Sequence, residues 1–160
     1  MTDRVVGGEA TGIESEAATV LGFLLIEYSS LGMELGLFLV WANGGQELES
    51  LTEKIDHARF AERLNLLEKF TVSKYPVGAS ADTYAGWLRD AHAIRGLRYQ
   101  LVHGRWGFIP LQGLVANVVG LPTSPNQLAI HYSIEQLNGK LQSLKLLRSR
   151  LHKLRKQAPI

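Results

Sequence analysis

The feature that most constrains this chain is an apolar stretch of about 30 residues, from Ile13 to Ala42, closed by Asn43-Gly44-Gly45. Val20, Leu21, Leu24, Leu25, Leu31, Leu35, Leu37, Phe38 and Leu39 cover more than one face at helical spacing. A helix of that kind is buried on several sides, so it is central in a bundle or shared with a second subunit. Gly22, Gly32 and Gly36 weaken it locally and permit close approach of other helices. A membrane span needs roughly 20 apolar residues in a row. Glu27, Glu34 and Ser29-Ser30 interrupt Val20–Trp41, so the stretch reads as a core helix with no membrane partner.

The rest of the chain reads as further helices with one extended region. Ser50-x-x-Glu53 has capping-box spacing and opens a second helix running through Ile55, Leu64 and Leu67 towards Phe70. A third starts at Ser80 to Asp82 and carries Tyr84, Trp87, Ala91, Ile94 and Leu101 until Gly104, expected as its left-handed cap. Between Arg105 and Tyr132 the period shortens, and a short β-hairpin is expected there. Ser133-x-x-Gln136 then caps a last helix striped by Leu137, Leu141, Leu144, Leu147, Leu151 and Leu154. The expected fold is mainly all-α: a single domain over residues 1–160, an antiparallel four-helix bundle with the hairpin inserted before the last helix.

Composition narrows the function. The chain of 160 residues has no cysteine, which excludes disulfides, thiolate metal sites and a cysteine nucleophile, and fits a reducing, cytoplasmic setting. Met1 to Gly12 lacks a basic region followed by an apolar run, so no secretory signal is expected. Charge is lopsided: residues 1–56 hold ten acidic and two basic side chains, and residues 57–160 hold five acidic and fifteen basic. Such asymmetry favours an anionic partner on the C-terminal half, or complementarity between halves within or between subunits. His92 and His103 lie three helical turns apart, but without a third ligand no metal site is expected.

The informative stretch is Arg95-Gly-Leu-Arg98-Tyr-Gln-Leu-Val-His103-Gly-Arg-Trp106. Stepping by three and four through 84, 87, 91, 94, 98 and 101 puts Arg98 where an apolar residue is expected, which is costly unless it is paired or binds an anion. On an ideal helix residues 98 and 103 lie about 140° apart, so they converge only where the helix ends or where a second subunit supplies one of them.

Arg98, the four residues Tyr99 to Val102, and His103 resemble the arginine, four to six intervening residues and histidine of HEPN-superfamily ribonucleases, and Gly104-x-Trp106 resembles the ending of many bacterial members. Family members usually have Asn, Asp or His after the arginine, where this chain has Tyr99. The resemblance implies a homodimer with the site at its two-fold axis, metal-independent RNA cleavage without cofactors, and a toxin or defence role with an antitoxin-type protein partner. His103 would be the general base on the ribose 2′-OH, and Arg98 would offset charge on the phosphorane-like transition state. Arg95, Tyr99, Arg105 and Trp106 would contact substrate. Structural roles stand beside these: an Arg98 ion pair with Glu27 or Glu34, His103 as a cap, Trp106 and Phe108 as hairpin anchors, and the basic last helix as a solvated face. The alternative function is a non-enzymatic dimeric bundle that binds a protein or RNA partner.

Overall fold

The computed structural model describes the backbone of residues 5–160 and the side chains of residues 12–160. The absence of a secretory signal expected over residues 1–12 rests on residues of which all but Gly12 lie outside those whose side chains are described. The described chain is mainly helical: α1 (Val5–Val40), α2 (Leu48–Asp56), α3 (Phe60–Lys74), α4 (Ala79–Ala93), α5 (Arg95–His103) and α6 (Ile134–Gln157), with strands β1 (Arg105–Ile109), β2 (Leu114–Val119) and β3 (Leu128–Ser133) before α6.

Two of the expected helices are each broken in two. The second becomes α2 and α3, separated at His57 to Arg59, and it begins at Leu48, so the Ser50-x-x-Glu53 spacing does not mark its start. Instead the Arg59 backbone N–H donates to the Glu62 carboxylate at 2.6 Å, which caps α3. The third becomes α4 and α5, with a break at Ile94. That break resets the helical phase: Leu97 and Leu101 are the buried positions of α5, and Arg98 is exposed. The expected hairpin is a three-stranded antiparallel meander, in the order β1-β2-β3, with Trp106 opposite Asn117 and Asn117 opposite Ile130.

The chain divides into two compact units, residues 1–27 with 96–144 and residues 28–95 with 145–160. In the first, the start of α6 is held by the expected reciprocal cap. The Ser133 N–H donates to Gln136 Oε1 at 2.8 Å, and the Gln136 N–H donates to Ser133 Oγ at 3.0 Å. Val115 and Asn117 are the inward-facing residues of β2, and both are wholly buried.

In the second unit, Tyr84 and Trp87 are buried on α4, and each spends its polar atom on a backbone carbonyl: Tyr84 Oη on Ala158, and Trp87 Nε1 on Leu147 at 2.9 Å. Arg150 pairs with Asp90 at 2.6 Å and Arg148 with Glu34 at 3.5 Å, so part of the basic face of α6 is tied down within the unit. α1 stops because Asn43, Gly44 and Gly45 all adopt positive φ. A Cβ on Gly45 would also run into the Trp41 ring.

All six leucines of the α6 stripe are buried, as are Val20, Leu24, Leu31, Leu35, Phe38 and Leu39 of α1. Phe23, Leu25, Ile26, Met33 and Leu37 of α1 are exposed, Ile26 and Met33 by 59% and 60%, as is Trp41 just past its end. By length and composition Gly12–Val40 is long and apolar enough to cross a membrane, and 44% of its most apolar window is buried within the fold.

Candidate ribonuclease-type site

α5 is a helix of nine residues whose apolar positions, Leu97 and Leu101, face inward, leaving Arg98, Tyr99, Val102 and His103 exposed. Arg98 therefore does not occupy the buried position that an unbroken third helix would assign it. Burial of its guanidinium needs no explanation, because it is not buried. The Glu34 carboxylate meets Arg148 at 3.5 Å within the second unit.

His103 is the last residue of α5, where the unpaired carbonyls of a helix end favour a cationic or donor side chain. Its imidazole lies against the ring of Tyr99, one turn earlier, with centroids 4.7 Å apart and planes tilted by 40°. Tyr99 thus occupies a face of the imidazole and limits its rotation. α5 remains helical through His103, so within one chain the Arg98 and His103 directions stay about 140° apart.

Asn117, which no sequence pattern singled out, fixes where α5 ends. Its side-chain amide donates to the Gln100 carbonyl at 3.1 Å, the same oxygen that receives the Gly104 N–H at 2.9 Å. Tyr132 Oη donates to the Gln100 side-chain oxygen at 2.6 Å, so residues of both β2 and β3 grip one residue of α5. Burial holds the Tyr132 hydroxyl above its ordinary pKa, while the bond to Gln100 acts in the opposite direction. Asn117 Oδ1 is buried and has no hydrogen-bond partner among the described residues.

Gly104 does not serve as a left-handed cap, since its φ is not positive. It is glycine for want of space: a Cβ there would overlap the Asn117 carboxamide. A polar residue at an inward position of an alternating strand was the available signal for Asn117, flanked as it is by the buried Val115 two residues earlier.

The remaining residues are dispersed. Arg95 belongs to the second unit, where its guanidinium approaches His92 Nδ1 at 3.3 Å. Arg105 is exposed and donates to the Gly120 carbonyl at 3.1 Å and to Gln127 Oε1 at 3.2 Å, which ties the start of β1 to the β2–β3 connection. Trp106 is half-buried and rests on Tyr132, with ring centroids 6.1 Å apart, as a sheet anchor would. His131 is exposed on β3. Among the described residues no group of three or more His, Cys, Asp or Glu could hold a metal ion.

The chain matches no family model, no curated protein and no solved structure at a significant level.

Proposed function

We propose that this protein is a metal-independent endoribonuclease of the HEPN type, acting as a cytoplasmic homodimer with Arg98 and His103 as its reacting residues. The supporting observation is that α5 carries both side chains exposed, Arg98 at mid-helix and His103 as the last residue, on a helix whose last turn is fastened by Asn117 and Tyr132. A general base must be accessible to substrate and held in place, and His103 meets both conditions. An arginine that meets a phosphorane-like charge must likewise reach solvent-borne substrate, as an exposed Arg98 does.

Because the two side chains diverge on one helix, the reading requires a second subunit to complete the cleft, with two copies of α5 contributing. Two antiparallel bundles would meet along faces that include exposed apolar residues of α1. The reaction divides into an attack by the ribose 2′-oxygen on the adjacent phosphorus, with its proton passing to His103, and departure of the 5′-oxygen, which takes up a proton from water as the P–O5′ bond breaks. Products end in a 2′,3′-cyclic phosphate and a 5′-hydroxyl, and DNA, lacking the nucleophile, is inert.

The Tyr99–His103 contact favours a second reading, a non-enzymatic dimer that binds RNA or a protein partner, because a tilted ring packed on the imidazole restricts its turning towards a substrate. Incubation of purified protein with mixed RNA in EDTA, followed by end-group analysis, separates the two. Cyclic phosphate ends formed without metal support the enzyme, and intact RNA supports the binding protein.

A further inference from the structure

Arg63, on the first turn of α3, belongs to the second unit, and Arg98 and His103 belong to the first. Its side chain is mostly buried, and its two terminal nitrogens donate to backbone carbonyls, Nη1 to Gly32 at 2.7 Å and Nη2 to Ile55 at 3.1 Å. Gly36 makes room for it, since a Cβ there would stand 3.1 Å from Nη1. Nε is buried without a hydrogen-bond partner, and no carboxylate among the described residues forms an ion pair with the guanidinium. The carbonyl of Ile55, near the C-terminal end of α2, offers partial negative charge, but a partial charge does not balance a largely desolvated cation.

The same arginine lines an open cleft of about 450 Å³ with Lys54, His57, Glu62 and Lys69. Three permanent cations face one carboxylate, and that carboxylate already accepts the Arg59 N–H. Two positive charges are therefore left over before His57 is considered. Ile55 and Leu66 supply apolar wall beside them, and Asn65 supplies a further polar group.

We infer that this cleft binds a small phosphomonoester. A phosphomonoester carries close to two negative charges on three terminal oxygens clustered at one end, which matches the charge excess and a donor set of lysine, arginine, histidine and asparagine. Its organic portion lies against Ile55 and Leu66. A monocarboxylate leaves half the excess in place, and a dicarboxylate spreads its two charges over separate groups.

The test is calorimetric titration of the full chain with glycerol 3-phosphate, inorganic phosphate and succinate at matched ionic strength. The double variant Lys54→Ala/Lys69→Ala serves as the control, because both side chains are exposed and their loss leaves the core intact. Saturable millimolar or tighter binding of glycerol 3-phosphate, weakened about tenfold or more in the double variant and about tenfold or more weaker for succinate, is the expected result. Inorganic phosphate should compete with it. Arg63→Lys keeps the charge but loses the fork, and should weaken binding if the variant folds; the lysine pair decides the matter if it does not. Absence of saturable binding, binding that survives in the double variant, or succinate binding as tightly as the phosphomonoester would overturn the assignment. None of these outcomes bears on RNA cleavage, so this inference and the ribonuclease reading fail separately.

Discussion

Gly104 and the Asn117 carboxamide occupy adjoining space so closely that no side chain fits between them, and both hydrogen-bond to the carbonyl of Gln100. The end of α5 is set by this contact. Gly104→Ala should therefore destabilise the fold by about 1–3 kcal/mol, the usual cost of forcing an extra carbon into filled space. Asn117→Ala removes the obstacle, so the double variant should lose less than the sum of the two single changes. Denaturant melts of all four proteins check this. Strict additivity would mean that the two positions do not meet.

Exposure of Arg98 and His103 makes their substitution a clean separation of chemistry from stability. Arg98→Ala and His103→Ala should each lower RNA cleavage by about 10²-fold or more while the melting temperature barely moves. Tyr99→Asn removes the ring packed against the imidazole and should raise cleavage. An active His103→Ala variant, or a His103→Ala variant that unfolds, argues against the proposed base.

The exposed apolar residues of α1 bear on assembly. Phe23, Ile26, Met33 and Leu37 recur at helical spacing along α1, with Trp41 just past its end, and exposed large apolar side chains repeated on one helix face are the mark of an interaction face. Light scattering should give about twice the chain mass of 17.7 kDa. Met33→Glu and Leu37→Glu together should halve that value. A wild-type mass equal to a single chain rules out the dimer and with it the two-chain cleft.

Burial, with a smaller contribution from Tyr75, pushes the Tyr84 hydroxyl well above its ordinary value of about 10. Its raised folded-state pKa means that the unfolded chain releases this proton first as pH climbs. The contribution to stability is complete below about pH 10 and is lost above it, as pH rises towards the folded value. Tyr84→Phe should flatten that alkaline decline while costing stability at neutral pH through the lost bond to Ala158. Urea midpoints from pH 8 to pH 11 measure both effects. Parallel declines for the two proteins would exclude Tyr84 as the cause.

The parts of the fold that were legible in the sequence are those determined by local rules. The Ser133 and Gln136 cap, the leucine stripe of α6 and the Asn43-Gly44-Gly45 stop need only neighbours along the chain, and all three are present. The breaks at His57 to Arg59 and at Ile94 carry no proline, and the apolar period runs through them almost undisturbed. Tertiary packing decides such breaks. Arg98 illustrates the consequence, since one turn of broken helix moved it from an expected buried stripe to the surface. Gly104 was legible as a special position, but for another reason: its partner Asn117 lies 13 residues further on, and no pattern along the chain connects the two.

The placement of the tryptophans has a practical consequence. Trp87 is wholly enclosed in one compact unit, with its indole nitrogen bonded to the Leu147 carbonyl, whereas Trp106 is half-buried in the sheet of the other. Their intrinsic fluorescence therefore differs in colour and in the part of the molecule it monitors. With Trp41→Phe as background, variants that keep only one of the two provide a separate optical reporter for each half of the chain, without any label being attached.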